Sequence, residues 1–361
     1  MIDPTLIPTL AAYLHRIDPF AVQFTENAGL RWYGLSYLAG FVAAYLLIRM
    51  MARPERSPLP RAKIPDFIFT VALMTVVGGR LGYCLFYDPS KFVDVSADFP
   101  FWGVLAIHEG GMASHGGIAG IALGALIYAR RQKLPLTHLL DLCAFGRVAN
   151  FVNGELIGKV ASDKLPWAVK FPQAMLEWPT RHPGKLDRLT PVIERLRPDE
   201  MGILIDAETW RSAATAADPS KIEWVYSVLY RLIGMTQRHD AVGDKAAGLL
   251  RPLLEPRHPS QIYAAIFEGL FVFAVLAAIW AKPRRPGVVG AWFLIVYSIV
   301  RIAVDPFRIP DPAIEHTLVG LSRVQSLSIL TALAGVIYLY GAARRPTAKL
   351  GGWRRARGTD D

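Results

Sequence analysis

The stretch GRVANFVNGELIG, residues 146–158, sets Arg147, Asn150, Asn153 and Glu155 within about two helical turns at the far end of an apolar run. A second run, YSIVRIAVDPFR, spaces Tyr297, Arg301 and Asp305 four apart, on one face of a helix, with Arg308 three residues later. Arg80 in GGRLGY, His115 in SHGGIAG, Tyr33 in WYG, and His258 and Gln261 in RHPSQIY complete the set. Guanidinium forks match phosphate oxygens two bonds at a time. A histidine can take up a proton near neutral pH, and amides and phenols orient polar headgroups. There is no HExxH, no aspartate cluster and no cysteine ligand set, so metal catalysis has no support.

Each of these residues also has a structural reading. Arg147 could pair with Glu155 or Asp141, and Asp305 could be the counter-ion of Arg301 or Arg308. Tyr33 suits a membrane interface, and Arg80 could snorkel to headgroups. His115 beside Gly116 and Gly117 could be a packing histidine, and HPSQ could be a helix start capped by Ser260. Charge within hydrocarbon costs roughly 2.5–3.5 kcal/mol per residue on insertion scales, so every one of these arginines needs a partner.

The elements that carry them follow from composition. The 361 residues are 52% hydrophobic and only 19% charged, and long apolar runs alternate with short basic loops. That pattern predicts an all-α polytopic membrane protein. The net charge of +10 sits at helix ends rather than on one face, so it is read as topology and not as a nucleic-acid footprint. Spans are expected at about 34–51, 66–86, 113–130 and 136–156 in an N-terminal membrane part, residues 1–158. Three more are expected at about 260–281, 287–304 and 322–341, within residues 258–343, with a basic tail at 344–361. Residues 1–30 read as an interfacial segment without a basic leader, and the polar stretch 159–257 as a domain outside the bilayer. Cys84 and Cys143 lie in apolar runs and read as small core residues.

With seven spans, RPERSPLPRAK, ARRQK, AKPRR and the C-terminal tail fall on one side. The positive-inside rule makes that side cytoplasmic and puts the N-terminus and the polar domain outside. Tyr33, Arg80, His115, Arg147, Asn150, Glu155, His258, Gln261 and Arg301 then gather near the outer leaflet. A transporter would favour broken helices and a midplane site, and no internal repeat is visible.

Six motifs occur in order along nearly the whole chain: WYGLSYLAGF, GGRLGY, EGGMASHGGIAG, GRVANFVNGELIG, RHPSQIYAAIFEG and YSIVRIAVDPFR. In this the chain resembles the bacterial prolipoprotein diacylglyceryl transferases. The resemblance implies a seven-span inner-membrane enzyme without cofactor. It would move the diacylglyceryl group of phosphatidylglycerol onto the lipobox cysteine of a prolipoprotein, leaving a thioether and glycerol phosphate. It also implies that Tyr33, His115, Arg147, Asn150 and Arg301 are the functional set. The chain departs from the family pattern at Ala264, where an acidic residue is usual, with Glu268 retained one turn on. It departs again at Asp305, where glutamate is usual, and in a longer outer region.

The implied chemistry is attack of a thiolate on an alkyl carbon with phosphate leaving. A free thiol has a pKa of about 8.5, so a base or a positive field is required. His115 is the candidate base, or else only a hydrogen-bonding group beside an arginine field. Arg147 and Arg301 would clamp phosphate; Tyr33, Asn150, Arg80 and Tyr297 would help bind phosphatidylglycerol. Glu155, Asp305, Arg308, Asn153, His258, Gln261 and Glu268 would orient or support them.

Overall fold

A computed structural model describes residues 12–18, 20–23, 29–54, 56–95, 101–106, 111–149, 157–162, 164–196, 205–214, 219–309 and 320–353. The chain is mostly helical and clusters into two units.

The larger unit holds the apolar helices. These are α1 (Trp32–Met51), α2 (Ile64–Phe86), α3 (Ser114–Gln132) and α4 (Leu136–Ala149). After the polar stretch come three more helices, numbered here α8 to α10. They are α8 (Ser260–Trp280), α9 (Val288–Val304) and α10 (Arg323–Arg344). Among the described residues a helix lies on each of these apolar runs, the fourth being described as far as Ala149. Among the described residues, four are long and apolar enough to cross a membrane: Arg61–Phe86, Ser260–Trp280, Val288–Phe307 and Arg323–Arg344.

Helices α2 and α3 touch backbone to backbone. A Cβ on Gly116 would stand 2.4 Å from the Gly78 carbonyl oxygen, and one on Gly120 would stand 2.1 Å from that of Met74. Small residues four apart on both helices, Gly78 and Gly82 against Gly116 and Gly120, make this approach possible. Asp141 on α4 accepts the Gly287 and Gly290 N–H groups at 2.8 and 2.7 Å, placing a carboxylate on the unsatisfied N-terminus of α9.

The basic loops meet at one end of this unit. Gly351 N–H donates to Arg56 O, the Arg56 guanidinium donates to Trp353 O at 3.0 Å, and Leu350 pairs with Arg284. Ser57 lies 2.7 Å from His138 Nε2 at the start of α4. At the other end, the Arg323 guanidinium donates to Phe86 O at 2.9 Å, joining the start of α10 to the end of α2.

The smaller unit is built from the polar stretch around α5 (Ala207–Ala214), α6 (Pro219–Gln237) and α7 (Ala241–Leu250). Its core includes Trp178, Leu189, Trp210, Leu229, Leu232 and Leu250. Before α1, β1 (Tyr13–Leu14) pairs in parallel with β4 (Val169–Lys170), while β2 (Phe20–Gln23) and β3 (Gly29–Arg31) form a hairpin. Leu14 enters the core, and Arg16 donates to Thr236 O at 2.7 Å and pairs with Asp244 at 2.7 Å. The described part of the N-terminal segment is thus a component of this domain, where the sequence suggested an interfacial stretch. Asp240 caps α7 by accepting the Gly243 N–H at 2.8 Å.

Candidate functional site

Six of the singled-out side chains, Arg80, His115, Glu268, Tyr297, Arg301 and Asp305, are described in the helical unit. Arg80, 3% exposed, sits in the last two turns of α2. Its Nε donates to Val104 O at 2.8 Å, Nη2 to Gly103 O at 2.6 Å and Nη1 to Gly111 O at 3.2 Å. The guanidinium is spent on the loop between α2 and α3 rather than snorkelling outward. His115, half-buried, is the second residue of α3. Two residues before it, Ala113 N–H donates to Gly79 O at 2.9 Å, so the close helix pair fixes Arg80 and the start of α3 together.

Arg301 lies in the last turn of α9 and is 7% exposed. Its Nη1 donates to Oε1 of Glu268 on α8 at 2.9 Å, and among the described residues its buried Nε has no hydrogen-bond partner. Tyr297, one turn earlier, is buried and stacked on Phe293 with ring centroids 5.5 Å apart. A buried guanidinium with one donor unsatisfied among the described residues is suited to an anion, because an orphaned buried donor costs about 1–3 kcal/mol until satisfied.

Two acids offered as possible arginine partners also make other bonds. Asp305 is not the hydrogen-bonded partner of Arg301: its Oδ2 accepts the Ser322 hydroxyl at 2.8 Å, and Glu268 fills the role instead. Ser322 in turn caps α10 in a capping box with Gln325. Asp141, one candidate partner of Arg147, is committed to the N-terminus of α9. Ser322-x-x-Gln325 was a readable capping signal, whereas Asp141 offered only its rarity in an apolar run.

Other residues lie in the smaller unit. The His258 ring meets Phe307 edge-on with centroids 5.0 Å apart, and His258 N–H donates to Lys159 O. Gly158 bridges Arg308, and Lys159 N–H donates to Phe307 O. A Cβ on Gly158 would stand 2.1 Å from the His258 carbonyl oxygen. The ends of three motifs, GELIG, RHPSQ and DPFR, therefore meet in one short backbone ladder. Arg257, buried, braces it by donating to Gly158 O at 3.2 Å and facing Glu177 at 3.5 Å. Gln261 falls in the first turn of α8.

Tyr33 stands at the second position of α1 and Arg147 in the last turn of α4; their side chains, and Asn150, Asn153 and Glu155 entirely, lie outside the described residues. No group of three or more His, Cys, Asp or Glu side chains able to hold a metal occurs among the described residues. Cys84 and Cys143 are buried and free.

The profile of the family described as Prolipoprotein diacylglyceryl transferase matches residues 19–341. A phosphatidylglycerol–prolipoprotein diacylglyceryl transferase of Bdellovibrio bacteriovorus is 42% identical over 352 residues, covering 95% of this chain and 97% of that protein. Proteins of the same name from Burkholderia ambifaria and Rhodospirillum rubrum are 33% and 30% identical, covering 91% and 93% of this chain and 96% of each relative. The near-complete coverage of both chains in the Bdellovibrio comparison means that the long polar stretch is shared with that relative. Matched from before its first helix into the last turn of its last, the chain belongs to the prolipoprotein diacylglyceryl transferase family.

Proposed function

We propose that this protein transfers the diacylglyceryl group of phosphatidylglycerol to the lipobox cysteine of a prolipoprotein, the first step of lipoprotein maturation. The site opens at the periplasmic leaflet of a bacterial inner membrane. The chain crosses seven times, with the N-terminus and the 159–257 domain outside and the C-terminal tail in the cytoplasm. The family match over residues 19–341 carries this reading, and the buried, half-satisfied fork of Arg301 supports it.

In the reaction the thiolate sulfur bonds to the glyceryl carbon that carried the phosphate ester. The carbon–oxygen bond breaks, and its electron pair leaves on glycerol phosphate. The thiol proton passes to a base, for which His115 at the start of α3 is the proposed group. Arg147 and Arg301 hold the phosphate and stabilise the charge that grows on the leaving oxygen. Tyr33, Asn150 and Tyr297 position the headgroup or peptide, and Glu155 orients Arg147. Arg80 acts through the loop it braces, and Asp305 by fixing the start of α10. His258, Gln261, Asn153 and Arg308 have supporting roles around the site.

The test is mass spectrometry of a synthetic lipobox peptide after incubation with the purified protein and phosphatidylglycerol. The expected product carries one diacylglyceryl thioether, with glycerol phosphate released in equal amount. An unmodified peptide, with the protein folded and phosphatidylglycerol present, overturns the reading.

A further inference from the structure

We propose that Glu268 is a positioning residue for Arg301, and that a π-helical turn in α8 is what delivers it. The inference rests on the transferase reading and gives Glu268, read from the sequence only as a supporting residue, a specific partner through the geometry of one helix.

Helix α8 is not uniform: Ala264–Phe271 forms a π-helix between α-helical segments. The buried residues of this helix include Ala264, Glu268, Val272, Leu276 and Trp280, spaced every four. In a regular α-helix four residues overshoot one turn by about 40°. Over four such steps the overshoot reaches about 160°, and the two ends of the stripe would face opposite sides. A π turn closes on the fifth residue and so rotates less per residue. Placed at 264–271, it absorbs the overshoot and keeps Glu268 in line with Leu276 and Trp280. Ile266, Phe267, Leu270 and Phe271 are exposed beside it.

Glu268 is the one charged residue in the segment Ser260–Trp280, and it is 1% exposed. A lone carboxylate in an apolar helix requires a partner, and its partner is Arg301 Nη1 at 2.9 Å. The alternative acid, Asp305, is bonded to Ser322. Glu268 thus fixes the rotation of a planar fork by one nitrogen and leaves the buried Nε without a partner among the described residues. That donor is aimed by the ion pair and satisfied by the phosphate when lipid arrives. Ala264, where the family pattern is acidic, opens the π segment and leaves Glu268 as the acid on this stripe.

The experiment measures transfer to a lipobox peptide from phosphatidylglycerol, with kcat and KM for lipid resolved, together with the melting temperature, for full-length protein in detergent. Glu268→Gln keeps the shape and one acceptor oxygen but removes the charge, and Glu268→Asp shortens the reach by one methylene. Both are expected to lose at least tenfold in kcat/KM. The exchange Glu268→Arg with Arg301→Glu restores opposite charges. It is expected to regain melting temperature relative to Arg301→Glu alone without regaining transfer, because the fork now stands on the wrong helix. A purely structural ion pair predicts the reverse: transfer returns with stability in the exchanged protein, and that result overturns the proposal. So does wild-type turnover in Glu268→Gln or, if that variant does not fold, in Glu268→Asp. Absence of transfer by the wild-type protein would instead overturn the transferase reading itself.

Discussion

The guanidinium of Arg80 donates to the carbonyl oxygen of Gly103 at 2.6 Å, and through that bond a membrane helix holds the loop that leads to His115. Two further bonds, to Val104 and Gly111, complete the clamp. Lysine would bring one point charge where a planar fork reaches three carbonyls. Each bond from a charged group is worth roughly 1.5–3 kcal/mol. Arg80→Lys is therefore expected to lower unfolding free energy by at least about 1.5 kcal/mol, with KM for phosphatidylglycerol unchanged in the folded fraction. A lipid KM raised tenfold at an unaltered melting temperature would assign Arg80 to the lipid site.

The contact of α2 with α3 makes a second test. Gly120→Ala places a methyl 2.1 Å from the Met74 carbonyl oxygen, so the helices must separate. Overpacking of this kind costs about 1–3 kcal/mol and moves the helix that carries His115. Gly234→Ala in α6 meets nothing within 4 Å and is expected to stabilise by about 0.4–1 kcal/mol through the unfolded chain. Melting curves of the two variants should shift in opposite directions.

Arg147 separates a phosphate clamp from a structural charge. Arg147→Lys keeps the charge and loses the fork, and one charge-assisted bond is worth roughly 1.5–3 kcal/mol, at least about tenfold in rate. The expected outcome is that loss of transfer at a nearly unchanged melting temperature. Full activity in a normally stable Arg147→Lys protein rules out the clamp.

Orientation is testable with an impermeant thiol reagent on intact spheroplasts. Ser212→Cys, exposed on the smaller unit, should react, and Arg131→Cys, exposed in the basic last turn of α3, should not. The buried native thiols Cys84 and Cys143 leave a low background. Labelling of the Arg131→Cys protein alone would invert the topology.

Acid should weaken the smaller unit in two steps. Burial near Phe171 holds the His15 imidazole below its ordinary value of 6.5. The hydrogen bond from Lys185, 2.7 Å away, holds the Glu255 carboxyl below 4.5, with the Lys185 charge adding to it. Each group binds fewer protons folded than unfolded, so stability rises with pH across its window. The His15 contribution is present above pH 6.5 and is lost as pH falls below it. The Glu255 contribution is present above 4.5 and is lost as pH falls through its lower folded value. Melting temperature should therefore decline from pH 7 to 5, less steeply in His15→Gln. It should decline again below 4.5, less steeply in Lys185→Met.

The sequence by itself determined the helices, their order and the family. Apolar runs longer than a bilayer crossing, punctuated by basic loops, leave few other folds, and six motifs in order identify one chemistry. Local spacing also put Tyr297, Arg301 and Asp305 on one face. Which acid neutralises Arg301 was beyond its reach, because spacing along a single helix cannot see a carboxylate on another. Asp305 is near in sequence, yet Ser322 takes its oxygen, while Glu268 arrives from α8 only because a π turn rotates it inward. Arg80 was equally ambiguous: nothing local to GGRLGY says that the carbonyls of residues 103, 104 and 111 will fold back over it. His258 reads from its motif as a supporting site residue, and tertiary structure sets it beside Gly158 and Phe307 in one short run of backbone bonds. Periodicity reports what a residue faces on its own helix; the partner that satisfies a buried charge is decided by the packing of elements far apart in the chain.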